Sequence, residues 1–267
     1  MSGYKIKYFG WSSISIESGS RTVVFDPLYS PYCGVQWSSL EDYEGADLVC
    51  VTHGHEEHFL DTPEVLRKTG AKVISSKKVC QFLKERNKIP EAQLVPVGLN
   101  ETVEFAGFKI TSFSWKHRDI NLPRTITKAA FTLHMPVLKW AWSSLTSSPF
   151  YAPFFGFHVE LADGTTILNY NEGFNYKMTD EEIREIGRRF KTDVLLGGMQ
   201  LNFVNDVRRG VAALSPKTVI LYPPHEKFHE MMGLPVAPYP EFLEAARKAA
   251  PNAQVMMAEP GWSYSQP

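Results

Sequence analysis

The densest run of chemically useful side chains is Thr52-His53-Gly54-His55-Glu56-Glu57-His58-Phe59-Leu60-Asp61. His53 and His55 stand two apart at the end of an apolar run, so an extended backbone projects both imidazoles the same way, where a pair can grip one ion. Gly54 between them lets another backbone come close. Glu57 and His58 follow after the chain has turned. They do not share the direction of the first pair and can serve a second ion beside it. One loop therefore supplies half of a two-metal site.

Regular elements must hold this loop in place. Residues 4–9, 12–17 and 22–26 read as a meander of three short strands separated by Gly10 and by the turn Ser18-Gly19-Ser20. Residues 47–52 carry the continuous apolar run Leu48-Val49-Cys50-Val51, as expected of a strand buried on both faces, and lead straight into the histidine loop. A helix at 61–68, a strand at 72–75 and a helix at 77–85 follow, then strands at 93–97 and 108–115. A pair at 156–161 and 166–169 turns at Asp163-Gly164. The second half repeats the pattern. Thr179 caps a helix to residue 189, with Glu182 supplying the reciprocal carboxylate, before strand 193–196, helix 206–214, strand 218–222, helix 239–248 and strand 254–257. A meander followed by β/α units, twice over, predicts two mixed sheets packed face to face with helices outside. The expected class is α/β, a four-layer αββα sandwich occupying 1–267 as one domain with an aromatic insertion at about 129–157.

Composition narrows the function. With 43% hydrophobic and 21% charged residues the chain is that of a folded globular protein, not a disordered or collagen-like one. Lys and Arg total 28 against 29 for Asp and Glu, so no excess of positive charge is available for a phosphate backbone and nucleic acid is not an expected partner. Cys33, Cys50 and Cys80 are odd in number and lie in no C-x-x-C spacing, which predicts free thiols and a cytoplasmic location. The N-terminus shows no signal-peptide pattern. The apolar stretch 129–159 is interrupted by His134, Lys139, Pro136, Pro149 and Pro153 and reads as no spanning helix, although peripheral membrane contact stays open.

The histidine loop resembles the signature of the metallo-β-lactamase superfamily, His-x-His-x-Asp-His after a strand. His53, His55 and His58 match its histidines, and Glu57 stands where the family usually has Asp. The opening Tyr8-Phe9-Gly10-Trp11-Ser12-Ser13 and Thr22-Val23-Val24-Phe25-Asp26-Pro27 look like the branch containing ascorbate-6-phosphate lactonase-like hydrolases and the phospholipase D that cleaves N-acyl-phosphatidylethanolamine. The resemblance implies further metal ligands: His117 in Ser114-Trp115-Lys116-His117-Arg118, a bridging Glu172 in Asn169-Tyr170-Asn171-Glu172-Gly173, and His225 in Tyr222-Pro223-Pro224-His225. Each nominated residue also falls just beyond a predicted strand end, where open α/β sheets gather ligands. His134 and His158 are read as non-ligands. His229, four after His225, faces the same way on a helix and joins Glu57 and Arg118 as the candidate catalytic set.

Histidines with carboxylates suit Zn, Fe or Mn, with zinc expected first, and two divalent ions about 3.5–4 Å apart generate hydroxide and polarise a carbonyl or phosphoryl oxygen. Asp26 and Asp61 are candidate acceptors for ligand imidazole N–H groups, or else a turn carboxylate and a helix cap. The expected function is a metal-dependent hydrolase using dinuclear metal-bound hydroxide on an ester, lactone or phosphodiester. Both departures from the family go from Asp to Glu, which suits carboxylate-bridged di-iron chemistry and keeps an oxygen-activating enzyme, and a degenerate binding protein, as alternatives. The aromatics of 131–157 read either as core or as a packed loop or lid over an apolar site, implying a small or lipid-like substrate with an apolar part. Arg118 stands ready for its phosphate or carboxylate. The sequence leaves the oligomeric state open.

Overall fold

The computed structural model describes residues 3–119, 122–131, 133 and 135–266. The chain opens with β1 (Tyr4–Gly10), β2 (Ser13–Ser18), β3 (Arg21–Phe25) and β4 (Leu48–Cys50). It continues through α1 (Glu56–Phe59), α2 (Thr62–Thr69), β5 (Lys72–Ser76), α3 (Lys77–Glu85) and β6 (Leu94–Val97). Next come β7 (Thr102–Phe105), β8 (Phe108–Ser114), α4 (Leu122–Phe131), α5 (Met135–Ser147), β9 (Phe155–Glu160) and β10 (Thr166–Asn169). The remainder is α6 (Asp180–Arg189), β11 (Val194–Gly198), α7 (Val204–Leu214), β12 (Thr218–Tyr222), α8 (Glu226–Met232), α9 (Tyr239–Ala249), β13 (Gln254–Met257) and β14 (Ser263–Gln266).

The strands form two seven-stranded sheets, ordered β14-β1-β2-β3-β4-β5-β6 and β13-β12-β11-β10-β9-β8-β7. Each is a meander that becomes parallel. In the first, the β1/β2 and β2/β3 pairings are antiparallel and those from β3 to β6 are parallel. In the second, β7 to β10 pair antiparallel and β10 to β13 parallel. The two-residue period of a strand then sorts side chains into layers. Phe25, Leu48 and Cys50 face Phe157, Leu196 and Ile220 between the sheets. Their neighbours Val24, Val49 and Val51 turn outward to Val65, Leu66, Val79 and Leu83 of α2 and α3. Leu168, Leu195 and Val219 turn out to Ile183, Val207 and Phe242 of α6, α7 and α9. This is the αββα sandwich that the repeated pattern predicts.

The capping box at Thr179 forms as expected, with Thr179 Oγ1 accepting from Glu182 N at 3.2 Å and Glu182 Oε2 accepting from Thr179 N at 2.9 Å. The insertion at about 129–157, read from the sequence as either core or a packed loop or lid, carries the end of α4 and all of α5. Pro136 falls in the first turn of α5, where the absent N–H leaves no intrahelical bond unmade. Val137, Trp140 and Ala141 dock against Trp11 and Phe228. Among the described residues no helix is long and apolar enough to cross a membrane. Strands β7 and β14, too polar and short to show in the sequence pattern, close one edge of each sheet.

Candidate functional site

Five of the parallel or meander strands end on the same rim. Asp26 follows β3, His53 follows β4, His117 follows β8, Glu172 follows β10 and His225 follows β12. His55 sits in extended conformation before α1, and that single turn of helix swings Glu57 and His58 away from the His53/His55 direction. The result is two groups. Ligand atoms of His53, His55, His117 and Glu172 lie within 4.8 Å of one another, as do those of Glu57, His58 and His225.

Glu172, fully buried, stands between them. Its Oε1 lies 3.4 Å from His53 Nε2 and 3.3 Å from His58 Nε2, and its Oε2 lies 3.2 Å from His117 Nε2 and 3.6 Å from His225 Nδ1. Glu57 Oε1 approaches His225 Nε2 at 3.4 Å, and Tyr32 donates its hydroxyl to Glu57 Oε2 at 3.2 Å.

The imidazoles are oriented from behind. His58 Nδ1 donates to Asp26 Oδ2 at 2.8 Å, and Asp26 also accepts from Thr52 N at 2.8 Å and Thr52 Oγ1 at 2.6 Å. His117 Nδ1 donates to the Arg118 carbonyl at 2.6 Å. In both rings Nε2 is thereby directed into the site. Asp61, the other candidate acceptor, meets no imidazole among the described residues. It accepts from the backbone N–H groups of Tyr29 and Ser30 and from Ser30 Oγ, all at 2.6 Å, and so fixes the loop after β3.

Electrostatics follow from burial and proximity. Burial, reinforced by neighbouring imidazoles, holds His53 and His55 well below the ordinary histidine range, which leaves their lone pairs available. Burial also opposes charge on Glu172, yet His117 and His225 outweigh it and keep the carboxyl well below its usual range. His58 is likewise opposed by burial but pushed up to about 10 by Asp26, Glu172 and Glu57. A field that holds a proton there equally favours a cation. Four nitrogens, His53 Nε2, His58 Nε2 and both of His225, and Glu172 Oε1 are buried with no hydrogen-bond partner. Converging orphaned lone pairs on imidazoles and carboxylates fit divalent transition metals.

Two residues outside the predicted set hold the site together. Gln200 Nε2 donates to Glu172 Oε2 and to the Glu172 carbonyl, both at 2.9 Å, while Arg118 Nε donates to Gln200 Oε1 at 3.2 Å. Tyr32 is the other, through Glu57. The only sequence signal for Gln200 is its place just after β11. His229 is buried beside His225, their ring centroids 5.9 Å apart, outside both ligand groups and with Nε2 unpartnered. Burial first, then His225 and Arg118, pushes it down to about 3. His158 stacks on Phe190 far from the rim, and His134 lies outside the described residues.

A cavity of about 330 Å³ opens on the first group, lined by His55, His117, Arg118, Phe150, Tyr151 and Phe154. Phe154 stacks on His117 at 5.1 Å and Phe150 packs on His55 at 4.7 Å. The end of the insertion thus walls the histidines. Its backbone also presses on Gly54, where a Cβ would lie 2.0 Å from the Pro149 carbonyl oxygen.

A family model described as the β-lactamase superfamily domain matches residues 5–144. A UPF0173 metal-dependent hydrolase of Pyrococcus abyssi is 26% identical over 260 residues, spanning 96% of this chain and 97% of that relative. Among solved structures, Igni18, a metallo hydrolase from the archaeon Ignicoccus hospitalis, superposes with a TM-score of 0.72 at 20% identity, covering 100% of this chain and 99% of that one. CmlA, a diiron β-hydroxylase from Streptomyces venezuelae, superposes with a TM-score of 0.68 at 13% identity, covering 100% of this chain and 54% of that one. At these identities the two structures establish shared fold.

Proposed function

The chain belongs to the β-lactamase superfamily, in its metallo-β-lactamase fold, and we propose that it is a metal-dependent hydrolase of a small ester, lactone or phosphodiester. The observation that carries the proposal is Glu172, whose two oxygens contact imidazoles of both ligand groups. We assign His53, His55, His117 and Glu172 to one ion and Glu57, His58, His225 and Glu172 to a second, zinc before iron or manganese. When bound, such ions supply an activated water and a Lewis acid for the substrate's carbonyl or phosphoryl oxygen. Both sheets contribute to one rim, which supports reading 1–267 as a single domain.

The chain's own residues supply the rest. Asp26 and the Arg118 carbonyl keep His58 and His117 in the tautomers that aim Nε2 inward. Glu57, with one oxygen near His225 and the other receiving the Tyr32 hydroxyl, is held against burial as a carboxylate by the neighbouring imidazoles and would serve the second ion. Arg118, on the cavity wall, pairs with an anionic oxygen of the substrate, while Phe150 and Phe154 cover its apolar part and exclude water. His229 lies beside His225, their ring centroids 5.9 Å apart. The unbridged Cys33, Cys50 and Cys80 support a reducing, cytoplasmic setting.

Metal analysis of the wild type and of a His55→Ala, His58→Ala double variant tests the assignment. About two ions per chain in the first and a large loss in the second are expected, and equal metal content in both would overturn it. One observation favours a second reading, oxygen activation by two irons: both carboxylates among the ligands are glutamates, long enough to bridge. Anaerobic turnover of lactones, esters or phosphodiesters with Zn²⁺ or Mn²⁺ supports the hydrolase. A strict requirement for iron, a reductant and O₂ would replace it with the second reading.

A further inference from the structure

Helix α5 is apolar on both sides. Val137, Trp140, Ala141 and Ser144 face inward. The opposite face presents Met135, Trp142 and Leu145 to solvent at helical spacing, with Leu138 half-buried among them. Around that stripe stand Phe131, 86% exposed, and Leu133 and Tyr151, 79% and 71% exposed. Leaving out the half-buried Leu138, these are six of the eight large hydrophobic residues exposed among the described residues. Scattered apolar surface is ordinary, but a patch gathered on one helix pair marks a contact surface.

Charge identifies what it contacts. Residues 120–159 include three Lys or Arg and no Asp or Glu, in a chain whose net charge is -1. Lys139 is exposed on the flank of the α5 stripe. Lys78, from α3, donates to the Tyr151 carbonyl at 3.0 Å at the far side of the patch. Protein interface cores are depleted in lysine, whereas a helix with an aromatic and aliphatic face bordered by lysines and free of carboxylates lies in the plane of a bilayer interface. Trp142 and Tyr151 have the amphipathic rings that settle at headgroup level.

We propose that the outer face of α4–α5 docks on an anionic lipid surface, with Met135, Trp142 and Leu145 entering the headgroup region and Lys139 and Lys78 meeting lipid phosphates. The docking is peripheral, since α5 is too short to span. Tyr151 belongs both to the patch and to the wall of the 330 Å³ cavity, so docking sets the mouth of that cavity at the lipid surface. The proposal concerns binding alone and does not depend on the activity assigned above.

Flotation of the metal-loaded protein with phosphatidylcholine vesicles, with and without phosphatidylglycerol, tests it. Binding to the anionic vesicles that weakens with salt is expected. A Trp142→Ser, Leu145→Ser double variant should lower the bound-to-free ratio by roughly tenfold or more, and Leu99→Ser, at an exposed leucine elsewhere, should not. Lys139→Glu should reduce anionic binding while leaving every apolar residue in place. Circular dichroism of each variant establishes that it is folded. No binding to either vesicle overturns the proposal. So does self-association abolished by the double variant without vesicle binding, which would assign the face to a second copy of the chain.

Discussion

The first sheet sends one continuous stretch into the site, His53 to His58, whereas the second sends single residues from three separated loops, His117, Glu172 and His225. Both sheets share a meander-to-parallel plan, so the difference lies in what fixes the side chains. In the first half α1 turns the chain to place two candidate ligands at once, and the single carboxylate of Asp26 binds Thr52 and His58 together. The second half depends on bonds between distant loops. Trp115 Nε1 donates to the Gly173 carbonyl at 3.1 Å, the Tyr222 hydroxyl to the Asn171 carbonyl at 2.6 Å, and Gln200 to Glu172. A site half assembled from scattered loops is only as well placed as the loops' mutual contacts, and its tolerance to change outside the ligands should be smaller.

The strongest test removes the residue that joins the halves. Glu172→Gln keeps the volume but deletes the charge facing His117 and His225, and metal affinity should fall by more than the roughly 10–100-fold seen when only supporting contacts are lost. Metal titration monitored for each ion checks this. Retention of full metal content would separate the halves energetically and place the bridge elsewhere. Next come the two glycines that let backbone pass close to each half. Gly173 has φ +95° and its added Cβ would sit 2.0 Å from the Gly198 carbonyl oxygen. Gly54 has the same clearance to Pro149 O without the positive φ. Gly173→Ala should therefore cost about 3 kcal/mol in urea unfolding and Gly54→Ala about 2 kcal/mol, since only the first adds backbone strain. The reverse order would deny the second half its greater fragility.

Gln200→Leu touches no proposed ligand atom by substitution, yet should weaken metal binding by about 10–100-fold because Glu172 loses its positioning donor. A wild-type titration would show that the loop around Glu172 holds itself. The smallest effect lies on the second sheet away from the rim. Burial, only partly offset by the hydrogen bond to the Lys191 carbonyl at 3.0 Å, lowers the pKa of His158. The unfolded chain accepts that proton in the ordinary histidine range, near about 6.5, before the folded chain does. The stability His158 contributes is thus present above that range and lost as pH falls through the lower folded value. Thermal unfolding between mildly alkaline and mildly acidic pH should show a slope that His158→Gln reduces.

Legibility in the sequence followed the same division. The histidine loop was visible because its residues are contiguous and follow the apolar run of β4. Asp26 and His225 stood out through the family resemblance of their segments together with their places at strand ends. Gln200 had no such mark, since a glutamine after a strand is common and its partner is 28 residues away in sequence. Asp61 shows the converse: adjacency to the loop suggested an imidazole partner, but two nearby backbone N–H groups compete better for its oxygens. The αββα layering was readable from alternation and capping. Helix α5 of the insertion was not, because a helix apolar on both faces carries no amphipathic period and Pro136 reads as a break unless its first-turn position is known.

The two ligand groups differ in their route to water. His55 and His117 line an open cavity, whereas Glu57, His58 and His225 do not line it. On the proposed assignment, an ion held by the first group would leave by diffusion into that mouth. One held by the second would leave only as the chain opens locally, at a rate set by the protein and indifferent to how much chelator surrounds it. Release would then be biphasic, a fast phase proportional to chelator and a slow one that saturates, so preparations stripped briefly would hold one ion and a vacancy always on the same side.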